Sequence, residues 1–260
     1  MKNVQVLLFY SLMVANALMA QEDMEKSDMV YKIPKQLLAG EGLEFIQQKD
    51  STRKVYQKKV YDGESIAVYI MAIGTGITNE FDDFPMEEFI FWMNGKAVVE
   101  PEGENSFEVH SGDYFIQAKG FKGKWSFVDN GGLHLELALI AKERERLGVK
   151  SPISKALVID RDILSGVSSS GQETEIVYEG AELKVNILHN KKMIFDQTSY
   201  ERMFHVISGL VTVTNESSSL EKNFYPGDFF IVPEEFRGAW HSNSLQDLRV
   251  VEVFRSQLRK

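Results

Sequence analysis

The stretch Gly112-Asp-Tyr-Phe-Ile-Gln-Ala-Lys-Gly-Phe-Lys-Gly-Lys-Trp125 has a second copy near the C-terminus, Gly227-Asp-Phe-Phe-Ile-Val-Pro-Glu-Glu-Phe-Arg-Gly-Ala-Trp240. Five residues of this stretch keep their spacing, because Gly, Asp, Phe, Gly and Trp all recur 115 positions later (227 − 112). A repeat of this length is too long for a solenoid unit and is about the size of a small domain. The sequence therefore predicts one domain that occurs twice.

Shorter similarities extend the repeat towards the N-terminus. They pair Asn94-Gly95 with Ser208-Gly209, Val60-Tyr-Asp-Gly63 with Val177-Tyr-Glu-Gly180, and Leu37-Leu-Ala-Gly40 with Ile163-Leu-Ser-Gly166. We predict a first copy at residues 31–145, a linker at 146–152 and a second copy at 153–260.

Each copy is rich in short β-type segments that turn signals separate. Leu133–Leu139 alternates, so that its leucines share one face and His134 with Glu136 share the other. Asn94-Gly95 is a strong hairpin signal because both residues tolerate positive φ. Short strands at regular spacing predict an all-β fold, an antiparallel sandwich or barrel.

Composition narrows the classes of partner. The chain has 260 residues, 43% of them hydrophobic, and a formal net charge of −9. This length allows two modest cores. The negative charge argues against nucleic acid or an anionic membrane surface as a partner.

Residues 1–20 have the features of a secretory signal peptide. Lys2 precedes a largely apolar stretch that ends in small residues at Ala15, Ala17 and Ala20. The alternative is an uncleaved membrane anchor, but the stretch is slightly short for a span of roughly 20 residues. There is no Cys, so disulfides and lipid attachment to a thiol are excluded. We expect a periplasmic or secreted bacterial protein that is free of the membrane after cleavage.

The repeated stretch resembles the second motif of cupin domains, most closely the branch named after ureidoglycine aminohydrolase. The segment Glu88-Phe-Ile-Phe-Trp-Met-Asn-Gly95 looks like the end of the first cupin motif, in which a Glu lies seven residues before a turn Gly. Both motifs recur in order over nearly the whole chain that follows the signal peptide. The resemblance implies a bicupin, with two tandem cupin domains of the double-stranded β-helix or jelly-roll type.

In cupins that bind a metal, the resemblance implies several His and one Glu that together hold Mn, Fe, Ni or Zn. None of the five histidines of this chain lies at such a position. Gly123 and Gly238 stand where the last His is expected, and Arg202 stands where the second copy would carry its Glu. A transition-metal site needs three or four converging donors, and only Glu88 remains. We therefore predict no metal and no other cofactor.

Glu88 is the first candidate ligand-binding residue, and Trp92 shares its face of the strand. A carboxylate inside a barrel can bind a cationic or hydroxyl-rich ligand. The alternative is a structural acid that is hydrogen-bonded or paired with a cation, since a buried charge must be paired.

Arg202 is the corresponding candidate in the second copy, and Phe204 shares its face. An Arg inside a barrel can bind a carboxylate or phosphate through two hydrogen bonds. It can equally pair with an acidic neighbour or point to solvent. The acidic candidates are Glu201, Glu182 and Glu252.

Trp125 and Trp240 close the repeated stretch in both copies. Identical placement favours packing at one end of each barrel, and stacking on a ring of a ligand is the alternative.

The sequence leaves three functions open. The first is a small-molecule-binding bicupin that works without the usual metal. The second is a metal-dependent hydrolase or lyase of small nitrogenous or organic-acid substrates, which would combine Glu88 with Asp82 or Asp83, a distant His and a divalent metal such as Mn. The third is an interaction protein with filled barrels. The resemblance also implies a homodimer.

Overall fold

The computed structural model describes residues 30–47, 54–129, 131–142, 155–167, 172–196 and 200–256. The predicted signal peptide and the predicted linker at 146–152 lie outside these residues. Within the described ranges, no helix has both the length and the apolar composition needed to cross a membrane.

The first copy contains eleven strands and one short helix. They are β1 (Tyr31–Lys32), α1 (Lys35–Leu38), β2 (Glu44–Ile46), β3 (Val55–Asp62), β4 (Ile66–Gly74), β5 (Thr78–Phe81), β6 (Glu88–Asn94), β7 (Lys96–Pro101), β8 (Phe107–His110), β9 (Tyr114–Gln117), β10 (Gly123–Phe127) and β11 (Leu133–Ala141).

The second copy repeats this order, except that its described residues contain no equivalent of β2. Its elements are β12 (Leu157–Val158), α2 (Arg161–Ser165), β13 (Thr174–Glu179), β14 (Leu183–Leu188), β15 (Lys192–Phe195), β16 (Arg202–Ser208), β17 (Val211–Asn215), β18 (Glu221–Phe224), β19 (Phe229–Val232), β20 (Gly238–His241) and β21 (Arg249–Arg255).

Each copy is a barrel made of one large and one small antiparallel sheet. In the first copy the orders are β12-β9-β6-β11-β4-β3-β2 and β5-β10-β7-β8. In the second copy they are β1-β19-β16-β21-β14-β13 and β15-β20-β17-β18. Apolar side chains form a core between the two sheets of each copy. The prediction of two all-β domains is confirmed.

The two large sheets pack against each other through their outer faces and form a third core. Strand β4 shows how one segment serves two cores. Ile66, Val68 and Ile70 face the other copy, whereas Tyr69 and Met71 face the interior of their own barrel. Burial on both faces explains why β4 is an almost continuous apolar run rather than an alternating one.

The copies exchange their first strands. Strand β1 adds to the large sheet of the second copy beside β19, and β12 adds to that of the first copy beside β9. The Ile33 N–H donates to the Phe229 carbonyl at 2.9 Å, and the Ile159 N–H donates to the Tyr114 carbonyl at 2.9 Å. The boundaries of 31–145 and 153–260 remain predictions from the repeat, and the hydrogen bonds of these two strands cross them.

A pair of buried carboxylates fastens the copies to each other. Glu87 accepts hydrogen bonds from the backbone N–H groups of Ala181, Glu182 and Leu183 at 2.7, 2.9 and 2.8 Å. A Cβ atom on Gly180 would collide with the Glu87 carboxylate. Since a buried charge must be hydrogen-bonded or paired, these N–H groups make the burial of Glu87 tolerable.

Glu201 makes the equivalent contacts in the opposite direction. It accepts from the N–H groups of Glu64, Ser65 and Ile66 at 2.5, 2.6 and 3.1 Å. Gly63 leaves room for the carboxylate, as Gly180 does for Glu87. The repeated Gly at the β3–β4 and β13–β14 turns is thus explained by contact between copies.

The Asp of each repeated Gly-Asp pair also joins the copies. Asp113 accepts from the His110 N–H at 2.7 Å, which closes its own turn, and from Arg161 Nε of the second copy at 2.8 Å. Asp228 accepts from the Tyr225 N–H at 2.8 Å and from Lys32 Nζ of the first copy at 2.6 Å. Burial alone would raise the pKa of Asp228, but the hydrogen bonds from Lys32 and the backbone lower it. Both motif carboxylates therefore have structural roles.

Candidate functional site

Polar side chains collect inside the first barrel. Glu88 lies on β6, Gln117 on β9, Tyr69 on β4, and His134 with Glu136 on β11. All five are buried. They alternate along their strands with residues that face the other copy, because successive side chains of a strand point to opposite faces.

Glu88 is a buried carboxyl group without a hydrogen bond to any residue that the structure describes. Its side chain faces the interior, as predicted, and only 6% of the residue is exposed. Burial, with a smaller effect from the charge of Glu136, raises the pKa of Glu88 to about 8. At neutral pH the group therefore carries its proton and can both donate and accept a hydrogen bond.

Gln117 lies directly opposite Glu88 in the register of β9 and β6. It is 0% exposed, and neither its amide nitrogen nor its amide oxygen has a hydrogen-bond partner in the described part of the chain. An unsatisfied buried donor or acceptor costs roughly 1–3 kcal/mol, so such a group needs an explanation. Sequence reasoning missed Gln117. The available signal was the repeat itself, which has the apolar Val232 at the equivalent position.

His134 and Glu136 form the polar pair that the alternation of β11 suggested. His134 Nε2 lies 2.5 Å from Glu136 Oε2, and Nδ1 lies 2.8 Å from the Asn94 carbonyl oxygen. The imidazole ring lies 3.9 Å from the ring of Trp92, centroid to centroid. Because both ring nitrogens have partners, His134 is held in place rather than free to bind a ligand.

Trp92 and Trp125 lie inside the first barrel with their ring centroids 6.5 Å apart. Trp125 also packs against Phe81 and Phe115 at 5.4 and 5.0 Å. Both indole N–H groups are buried without a partner among the described residues. The rings act in packing, and their N–H groups add two donors to the barrel interior.

The second barrel has a different polar interior. Arg202 Nη1 binds Glu252 Oε1 at 2.8 Å, and the guanidinium lies over the rings of Tyr200 and Phe254 at 4.9 and 5.5 Å. Glu252 also accepts from Asn186 Nδ2 at 2.7 Å. Of the alternatives that the sequence left open for Arg202, the structure selects pairing with Glu252.

Phe204 and Trp240 complete the core of the second barrel. Their ring centroids are 5.3 Å apart, and Phe204 also stacks on Phe230 at 5.0 Å. Both side chains are fully buried. Like Trp125, Trp240 packs inside its barrel.

The residues that are present do not fit the usual cupin metal. A Cβ atom on Gly123 would collide with the Glu100 carbonyl oxygen, and one on Gly238 with the Thr214 carbonyl oxygen. The position of the last metal ligand therefore has no room for any side chain. Among the described residues, no group of three or more His, Cys, Asp and Glu side chains could hold a metal ion.

The alternative metal set proposed from the sequence is not assembled either. Asp82 and Asp83 are exposed, whereas Glu88 is buried inside the barrel.

Comparison with known proteins agrees with this geometry. The model of the EutQ-like cupin domain matches residues 63–130 and 195–245, one segment in each barrel. A solved protein of unknown function from Pseudomonas syringae pv. tomato str. DC3000 has a TM-score of 0.59 at 16% identity, over 87% of this chain and 99% of its own. A cupin 2 conserved barrel domain protein from Leptotrichia buccalis has a TM-score of 0.55 at 12% identity, over 81% and 92%.

A third solved structure, the protein Ylba from E. coli, has a TM-score of 0.52 at 12% identity, over 88% of this chain and 99% of that one. The chain has the fold of a bicupin, with two cupin barrels. Identities this low show the fold alone, so kinship with the ureidoglycine aminohydrolase branch stays a prediction. A search of curated proteins finds no match.

Proposed function

We propose that the first barrel binds a small uncharged polar molecule between Glu88 and Gln117, without a metal. One observation carries this proposal: Glu88 and Gln117 are buried side by side on β6 and β9, and neither amide atom of Gln117 has a hydrogen-bond partner among the described residues. A bound molecule would satisfy both groups and remove the cost of leaving them unpaired.

The chemistry of the two groups defines the ligand class. A protonated carboxyl and an amide each offer one donor side and one acceptor side. Hydroxyl and amide groups of a ligand are complementary to this pattern. The indole N–H groups of Trp92 and Trp125 offer further donors to oxygen atoms. An anion is disfavoured because this interior already contains the charge of Glu136, which helps to raise the pKa of Glu88.

The second barrel supports the assignment by contrast. Its partly buried cation, Arg202, pairs with Glu252 and lies over two aromatic rings. At the position of Gln117 it has Val232, an apolar residue. The copies have therefore diverged, and the buried Glu–Gln pair occurs in the first barrel.

Crystals soaked with erythritol and with acetamide test the proposal. We expect density for one of these probes, hydrogen-bonded to Glu88 and Gln117. Gln117→Val, which copies the second barrel, should abolish it. Arg202→Met is the matched control in the other barrel and should leave the density unchanged. Soaked crystals in which side chains alone fill the first barrel would refute the proposal and favour an interaction protein with filled barrels.

The metal-dependent hydrolase or lyase remains the competing function. Metal analysis of protein purified without chelator separates it from metal-free binding. Near-stoichiometric Mn, Fe, Ni or Zn in the wild type, lost in Glu88→Ala, would refute metal-free binding and support the metal-dependent enzyme.

We also propose export to the periplasm or beyond, because residues 1–20 have the pattern of a cleaved signal peptide. Mass spectrometry of the protein from its native host should show a mature chain that begins near Gln21. A chain that retains residues 1–20 would contradict export with cleavage. The homodimer stays a prediction, which the mass in solution will test.

A further inference from the structure

A pocket of ≈ 580 Å³ lies between the two copies, outside both barrels. Residues at matching positions of the repeat line it from both sides. Tyr114 matches Phe229, and Phe91 matches His205. The pocket therefore lies where the two copies meet as near-symmetric halves, on the outer faces of the large sheets.

The two halves of the pocket differ in polarity. On one side Phe91 packs against Phe229, with ring centroids 5.2 Å apart. On the other side the Tyr114 hydroxyl lies 2.5 Å from His205 Nδ1. Both Tyr114 and His205 are buried, at 3% and 7% exposure. A polar pair thus replaces the apolar pair of the matching half.

The surroundings determine which nitrogen of His205 carries the proton. Burial raises the pKa of Tyr114, so its phenol keeps its proton, and His205 Nδ1 is the single acceptor near that hydroxyl among the described residues. Burial lowers the pKa of His205 to about 3, so the ring is neutral. A neutral imidazole that accepts at Nδ1 has its proton on Nε2.

This N–H donor has no partner within the part of the chain that the structure describes. His205 stacks on Phe229 at 3.7 Å with an angle of 8° between the rings, which fixes the orientation of the imidazole. The rest of the lining is mainly apolar, including Leu38 and Leu164. A single oriented donor in an apolar pocket selects a ligand with one acceptor group and an apolar body.

The charges around the pocket favour an anionic acceptor. The turns that precede Asp113 and Asp228 line it, and so does Arg161. Arg161 pairs with Asp113 at 2.6 Å, while Lys32 and Lys35 pair with Asp228 at 2.6 and 3.5 Å. The Arg161 guanidinium is 64% exposed and has N–H groups beyond those that bind Asp113, so it can attract an anion.

We propose that this pocket between the copies binds a small monocarboxylic acid with a flat apolar body. The carboxylate accepts from His205 Nε2, and the apolar body lies against the Leu and Phe side chains. The pocket shares no residue with the Glu88–Gln117 site inside the first barrel, so its success or failure is independent of the proposed function.

Isothermal titration calorimetry with 2-naphthoate tests the pocket. We expect saturable binding to the wild-type protein, and binding of the neutral analogue 2-naphthamide at least tenfold weaker. His205→Phe removes the donor and introduces the residue found at the matching position, Phe91. It should weaken 2-naphthoate roughly tenfold to hundredfold, which corresponds to one hydrogen bond to a charged group. His241→Phe, the same exchange on β20 outside the pocket, should leave affinity unchanged.

Tyr114→Phe is the second variant, for the case in which His205→Phe does not fold. It removes the hydroxyl that keeps the proton of His205 on Nε2. The variant should bind 2-naphthoate more weakly and keep the circular dichroism spectrum of the wild type. Equal affinity for the acid and the amide, unchanged affinity in a folded His205→Phe or Tyr114→Phe variant, or no saturable heat at millimolar 2-naphthoate would overturn the proposal.

Discussion

Replacing Glu88 with Gln should remove a loss of stability that the wild-type protein suffers between pH 6.5 and 8. The two side chains have nearly the same shape, so the exchange preserves packing inside the barrel. It removes a titratable group whose pKa lies at about 8 in the folded protein.

The sign follows from the direction of the pKa shift. An ordinary Glu has a pKa near 4.5, and burial together with the charge of Glu136 raises the pKa of Glu88 to about 8. Between these values the folded protein holds a proton that the unfolded chain has released. The resulting stabilisation is complete below pH 4.5 and is lost as the pH rises to 8.

The magnitude depends on the width of the pH window. Each pH unit is worth about 1.36 kcal/mol, so the whole shift from 4.5 to 8 amounts to about 5 kcal/mol. Below pH 6.5 the buried His205 has an opposite effect, because its pKa is lowered from 6.5 to about 3. Between pH 6.5 and 8 this effect is absent, and the loss of unfolding free energy that is due to Glu88 amounts to about 2 kcal/mol.

Urea unfolding followed by Trp fluorescence at several pH values from 6.5 to 8 measures this loss. The quantity of interest is the difference in unfolding free energy between wild type and Glu88→Gln at each pH. We expect the variant to gain about 2 kcal/mol on the wild type across the window. Glu100→Gln, an exposed carboxyl on β7, is the matched control and should run parallel to the wild type. Parallel curves for wild type and Glu88→Gln would refute a buried, protonated Glu88.

Three further predictions concern the contacts between copies and the closed ligand position. Glu87→Ala should lower the free energy of unfolding by at least 3 kcal/mol, since one buried and two partly buried N–H groups lose their acceptor. Urea unfolding measures this, and a loss below 1 kcal/mol would show that these hydrogen bonds do not hold the copies together. Gly123→Ala should lower the free energy of unfolding by more than 3 kcal/mol, because φ at this position is 145° and the added Cβ collides with the Glu100 carbonyl. The control is Gly103→Ala, where a Cβ meets no atom within 4 Å. An unchanged thermal midpoint in Gly123→Ala would contradict the steric argument. His205→Phe should make the protein more resistant to acid unfolding. Between pH 6.5 and 3 only the unfolded chain protonates this His, which costs the wild type about 5 kcal/mol of unfolding free energy. Identical acid-unfolding midpoints for wild type and variant would be inconsistent with a buried neutral imidazole.

The barrels were predictable from the sequence because their signals are local. Alternation along β11 placed His134 and Glu136 on one face, and the structure shows them as a pair. Glu88 and Trp92 face the interior, as the period of two requires. The glycines at 123 and 238 were expected to leave no metal ligand, and the surrounding backbone leaves no space for one.

The contacts between copies were not predictable in the same way. Glu87 and Glu201 look like ordinary acidic residues beside a strand, and their partners are more than ninety positions away along the chain. The exchange of β1 and β12 likewise depends on which sheet edge is within reach once both barrels have formed.

The sequence by itself determined that a domain occurs twice, that it is all-β, and which faces of its strands point inward. These properties follow from spacing, turn residues and alternation, which act over a few residues. Tertiary structure alone decided that Arg202 is satisfied by Glu252, that Gln117 is not satisfied, and that His205 meets Tyr114 between the copies. The physical reason is that satisfaction of a buried polar group depends on which distant chain segment packs against it, and strand parity gives only its direction.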